Sequence, residues 1–285
     1  MIELIIVNTP NETHYSFVKE ALKAGKHVVV EKPFTLTSKE AEELIDLSKA
    51  KNKVLTVFQS RRFDGDFMTL QNVLKQNLVG KVVEFEAHYD RFRNYIEANT
   101  WKEESAPGTG ILYNLGSHML DQVLLLFGKP SEVDARIGIQ RPGGVVDDFY
   151  DIRLTYSGML AIVKSSYLVR EAGPRYILHG TNGSFVKCGL DPQEQDLKDG
   201  KTPDSPNWGQ EEDRWWGKLN STIDNTSVEK KIETLPGNYK MFYDNLCDAI
   251  RNKKPLIVKA EEAKEVIRLI ETCYESNKQR RAIKF

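Results

Sequence analysis

The sequence has no CxxC pair. Its three cysteines, Cys188, Cys247 and Cys273, lie far apart. That argues against a disulfide framework and a zinc site, so no metal is expected, and it favours a reducing, cytoplasmic setting. Three ordinary thiols account for them most simply. No charge of one sign is in excess: 40 basic residues face 41 acidic ones, for a net charge of −1 and a pI near 6.6. That balance points to neither nucleic acid nor an anionic membrane as partner. Every apolar run is broken by charged or amide residues well short of a bilayer span. Met1-Ile2-Glu3-Leu4 has no basic segment and no cleavage site, and is not expected to be a signal peptide. Internal repeats and low-complexity linkers are missing too. So is a G-x-G-x-x-G turn, whose nearest fragment, Gly108-Thr109-Gly110, follows a polar loop instead of a strand.

What is present is long enough, at 285 residues, for two domains and a substantial core. The chain is organised around His27 to Phe34, HVVVEKPF. Three consecutive valines predict a short strand buried on both faces of a parallel sheet. Pro33 cannot donate to a ladder, so the strand stops at Glu31 and Lys32. Charged residues at the carboxyl end of such a strand stand where open α/β sheets take their ligands, although a strand can also simply end in solvated charges. Glu3–Asn8 predicts an earlier strand, apolar on both faces, and Val54–Phe58 a third. Helices are expected at Glu12–Ala24, ended by Gly25, and after Thr37 or Ser38 as cap. Strand, helix, strand, helix, strand implies a parallel sheet with right-handed crossovers.

Phe63–Gln76 reads as a connecting helix, and the texture then changes. Val82–Phe92 alternates as a long strand, with Val83, Phe85, Ala87, Tyr89 and Arg91 on one face. Further strands are expected at Glu132–Ile139, Phe149–Tyr156, Met159–Tyr167 and Arg175–Gly180, the middle two joined by a hairpin at Tyr156-Ser157-Gly158-Met159. Leu190–Asn220 is polar and reads as a surface excursion. Helices at Tyr239–Arg251 and Ala260–Asn277 and a last strand at Arg281–Phe285 close the chain. The expected class is α/β: residues 1–62 as the C-terminal half of a Rossmann-type sheet, then residues 63–285 as an α+β domain with a large, mainly antiparallel open sheet. Both faces of Val82–Phe92 are mixed in polarity, so that sheet is expected to meet another subunit, as a homodimer or homotetramer.

A helix over Ile111–Phe127 carries the chemistry. Ile111, Leu115, Met119, Val123 and Leu126 form its apolar stripe. Asn114, His118 and Asp121, at i, i+4 and i+7, share another face. Such groups are costly to bury unpartnered, so they form either a hydrogen-bonded core network or a site.

Val7 to His14, the Glu31-Lys32-Pro33 motif, Gln59 to Phe63 and Gly110 to Asp121 occur in one order along the chain. Together they resemble the Gfo/Idh/MocA oxidoreductases, relatives of glucose–fructose oxidoreductase and inositol dehydrogenase, over essentially the whole chain. The resemblance implies an NAD- or NADP-dependent dehydrogenase of a cyclic polyol or sugar. It makes Lys32 and His118 catalytic, with Asn114 where the family has Asp. It sets Asn8, Thr9, Pro10, His14, Glu31 and Lys32 around the nicotinamide ribose, with Gln59 and Arg61 completing that wall. Arg91, Trp101, Asn114, His118 and Asp121 then face the substrate, and Asp121 orients the imidazole. A carboxylate restored by Asn114→Asp is expected to lift the His118 pKa.

The family's phosphate-binding turn belongs to roughly two βα units of about 30 residues each upstream. Either the chain is truncated or its gene start is misplaced; a natural chain of this length would leave Glu3–Asn8 as an exposed edge. Without that turn, dinucleotide binding is expected at a Kd of about a millimolar or weaker. A non-catalytic binding or assembly subunit is the alternative function.

Overall fold

The computed structural model describes residues 2–285. The first sheet is β1 (Leu4–Val7), β2 (His27–Val30) and β3 (Leu55–Val57), all parallel and in that order. The valines of β2 divide as their alternation requires. Val28 and Val30 join the main core with Val18, Leu22 and Leu44, from α1 (His14–Lys23) and α2 (Ser38–Ala50). Val29 faces the opposite way, onto Phe63 and onto Phe242 and Leu246 of α6 (Lys240–Asn252). The strand is therefore buried on both faces. β1 is not. As the edge strand it buries Val7, but Ile6 is 55% exposed, because the cover supplied by α6 does not reach it. Thr37 caps α2 in a reciprocal capping box with Glu40.

The second sheet has nine strands. In chain order they are β4 (Val82–His88), β5 (Glu132–Gly138), β6 (Phe149–Tyr156), β7 (Met159–Ser166), β8 (Tyr176–Gly180), β9 (Gly183–Lys187), β10 (Gly217–Ile223), β11 (Thr226–Ile232) and β12 (Ile283–Lys284). Across the sheet they run β11-β10-β9-β8-β4-β7-β6-β5-β12. Only the central β4–β7 pair is parallel. The four middle strands expected from alternation are all present. β9, β10 and β11 were not expected: β10 begins inside the stretch read as a surface excursion. A register shift between Val82 and Glu84 turns Val83 outward, so it does not share the buried face of Phe85, Ala87 and Tyr89.

One face of this sheet packs on α3 (Gly65–Lys75), α4 (Ser117–Phe127) and α7 (Ala260–Gln279), through residues such as Leu70, Met119, Val123, Ile267 and Ile270. The other face is ionic, with pairs such as Lys164–Asp151 and His88–Glu86.

Arg62 fastens the two sheets together. It follows β3, is almost wholly buried, and grips Asp121 of α4 through Nε at 2.7 Å and Nη2 at 2.6 Å. Its Nη1 lies 2.6 Å from Glu262 of α7. Removing one partner of such a pair strands a buried charge. Asp121→Ala is expected to cost about 3–5 kcal/mol in urea unfolding. A loss within the range of an exposed ion pair, about 1 kcal/mol or less, would contradict that.

Candidate active site

Lys32 follows directly on β2 and opens onto a cleft of about 990 Å³ between the two sheets, at the large end of small-molecule sites. Asn8, Thr9, Glu31 and Arg61 line it from the parallel-sheet side. Arg91, Trp101, Asn114 and His118 line it from the segment joining β4 to α4 and from the start of that helix.

Four of the residues singled out in the sequence do not line this surface. His14 is buried, with Nδ1 2.8 Å from the Pro33 carbonyl and Nε2 3.0 Å from that of Thr9. It staples the turn after β1 to the turn after β2 and reaches no ligand space. Pro10 belongs to the same turn. Gln59 is 2% exposed, and its Oε1 has no partner. Asp121 is the clearest correction. Both its oxygens are held by Arg62, and His118 Nδ1 is unpartnered, so Asp121 does not orient the imidazole.

The backbone explains the divergence. Leu112–Gly116 is a π-helical turn, which passes into α4 at Ser117. Such turns re-aim side chains and recur at functional sites. From His118 to Asp121, three α-helical steps rotate the side chain about 300°, onto the flank that meets Arg62. Asp147 anchors the start of the turn, accepting from Leu112 N at 2.9 Å and from the Tyr274 hydroxyl at 2.8 Å. Gly110, at φ +90°, lies so close to this carboxylate that a Cβ would collide with it. The Gly108-Thr109-Gly110 fragment is thus a docking turn for the helix.

Lys32 is the centre of the site. Its Nζ donates to the Asn114 backbone oxygen at 2.9 Å and to Asn114 Oδ1 at 3.1 Å. Burial lowers its pKa to about 8; Glu31 opposes the shift, while Lys102 and Arg61 add to it. The group is chiefly an ammonium at neutral pH and loses its proton about one unit above. His118 is buried at the cleft wall, and burial, reinforced by the Lys32 and Arg61 charges, holds its pKa well below the usual imidazole range. It is a neutral ring with one nitrogen free to take a proton.

Other lining residues gave no signal in the sequence. Glu194, in the supposed surface excursion, lies on a short helix, α5 (Gln193–Lys198), and pairs with Arg61. Arg61 also contacts Asp64 at 3.3 Å and the Tyr239 hydroxyl at 3.1 Å. Neither spacing nor periodicity announces these long-range partners.

Residues 1–59 match the model of the oxidoreductase family's NAD-binding Rossmann fold, and residues 71–285 that of its C-terminal alpha/beta domain. The chain belongs to the Gfo/Idh/MocA oxidoreductase family. It is 42% identical to the uncharacterized oxidoreductase YdgJ of Escherichia coli, over 98% of this chain and 80% of that one. It is 39% identical to scyllo-inositol 2-dehydrogenase (NADP(+)) IolW of Bacillus subtilis, over 99% and 78%. The Bacillus subtilis yvaA structure superposes with a TM-score of 0.96 at 37% identity, covering 100% of this chain and 81% of that one.

In this oxidoreductase the Asn114 side chain meets Lys32, so the ionisable group that position 114 acts on directly is Lys32, and His118 is not its partner. Asn114→Asp would set a carboxylate on the ammonium, favour the charged form and raise the Lys32 pKa above about 8. The alkaline limb of the pH–rate profile is expected to move upward. A limb that stays in place would separate Lys32 from the titrating step.

Proposed function

We propose that this oxidoreductase interconverts a secondary alcohol and a ketone on a cyclic polyol or sugar. The observation that carries this reading is the convergence of Lys32, Asn114 and His118 in one cleft at the end of β2. The residues fit the nicotinamide end of a dinucleotide: Asn8, Thr9 and Glu31 offer polar groups at the carboxyl ends of β1 and β2. His14 holds two of those turns in place, and the buried Oε1 of Gln59 is an unpaired acceptor beneath the same strand ends. NAD or NADP, when bound, supplies the hydride acceptor or donor.

The chain's own residues handle the proton. His118 is neutral at physiological pH and takes the hydroxyl proton during oxidation. The Lys32 ammonium donates to the same oxygen and stabilises its developing negative charge. Asn114 fixes that ammonium through Oδ1, and its amide NH₂ can donate to a ring hydroxyl but cannot accept a proton from it. Trp101 offers an apolar face to the ring. The name of IolW supports scyllo-inositol with NADP as the first pair to test. The uncovered ionic face of the nine-stranded sheet is proposed to meet a second copy of the chain.

In an active version of the chain that carries the family's phosphate-binding turn, with scyllo-inositol and NADP, His118→Ala and Lys32→Ala are each expected to lower kcat by roughly 10²–10⁴. The cofactor Kd in His118→Ala should stay near that of the parent. Near-parental kcat in either variant would remove that residue from the catalytic list.

A further inference from the structure

Most charges around the cleft are paired. Arg61 is held by Glu194 and Asp64, Arg93 lies 3.5 Å from Glu97, and Lys240 lies 3.0 Å from Asp244. Among the acids, Glu103 is engaged by Arg141 at 2.8 Å and Asp147 by Leu112 and Tyr274. Three cations remain: Lys32, whose partner Asn114 is neutral, together with Arg91 and Lys102. Among the described residues neither the Arg91 guanidinium nor Lys102 Nζ makes a hydrogen bond or ion pair; each lies near an aromatic ring. Arg91 stands 5.3 Å from the Tyr89 ring centroid and Lys102 5.9 Å from that of Trp101. Against these three cations the cleft offers one free carboxylate, Glu31.

A half-buried guanidinium stacked on a ring has its planar fork unused. That fork matches an oxyanion with two parallel donors. Arg91 is also close enough to the reacting end for its charge to depress the His118 pKa, as Lys102 depresses that of Lys32. A neutral ring would leave the Arg91 fork without an anion to match it.

We infer that the ring bound in this cleft carries an oxyanion, a carboxylate or a phosphate, and that Arg91 receives it. The inference rests on the dehydrogenase reading above and narrows its substrate class to acidic sugars or cyclitols. Arg91 sets specificity, and the reacting carbon stays with Lys32 and His118.

The test compares D-glucuronate, D-glucose 6-phosphate and D-glucose on the cofactor-saturated protein, by turnover and by fluorescence of Trp101 in the cleft wall. One acidic sugar is expected to exceed glucose in kcat/KM and in affinity by roughly 10–100-fold, the range of a charge-assisted hydrogen bond. Preference for glucuronate assigns a carboxylate, and preference for glucose 6-phosphate a phosphate. Arg91→Ala should erase the preference, lowering kcat/KM for the acidic sugar far more than for glucose with the NADP Kd near that of the parent, and Arg91→Lys should restore part of it. Equal or better use of glucose, or an equal loss on all three sugars, would overturn the inference. So would a weakened NADP Kd with sugar binding intact. If scyllo-inositol is oxidised through His118 while both acids are refused, the dehydrogenase reading stands and this inference falls. If acidic sugars bind through Arg91 and no polyol is oxidised, the reverse holds.

Discussion

A buried ammonium is the constraint on which the site depends. Lys32 emerges from the end of a strand closed in on both faces and stands half-buried at the cleft, largely stripped of water. An ammonium in such a place is unfavourable unless its donors are satisfied. Two of its three protons go to Asn114, on a helical turn from the other half of the molecule. One pair of contacts therefore locates the parallel sheet against the π-helical turn at the start of α4 and leaves one N–H for a ligand. The same desolvation brings the Lys32 pKa down to about 8 and holds His118 neutral. Burial thus lowers both pKa values together, with no strong carboxylate partner for either group.

Around that centre the fold supplies rigidity. Arg62 clamps α4 and α7 to the end of β3, and His14 clamps two strand-end turns. Neither residue lines the cleft. Both hold the backbone of residues that do, which is the support a precise site requires.

Much of this was legible in the sequence because it rests on local signals. Three valines ending in Glu-Lys-Pro define a buried strand and its exit. Alternation locates β5 to β8, and the Thr37–Glu40 box locates a helix start. The failures come from interactions that are not local. β1 reads as fully buried, yet its edge position exposes Ile6. β9, β10 and β11 are rich in Gly, Ser, Asn and Lys, and become strands only because the sheet beside them offers a ladder. Asp121 shares a face with His118 on a helical wheel, but the partner it meets in space is Arg62, 59 positions upstream. Glu194 sits in a polar segment, and nothing in the chain says that Arg61 waits opposite. The family match supports the oxidoreductase chemistry without selecting the ring, and the balance of charge in the cleft then bears on that choice.

The most direct measurement is a titration of the Lys32 ammonium, by nitrogen-15 NMR on lysine-labelled protein with Lys32→Arg as the assignment control. The account predicts a midpoint of about 8, well below the usual lysine value of about 10.4. A Lys32 midpoint near 10.4 would mean that the group is solvated, and the burial that lowers both pKa values in this site would not exist.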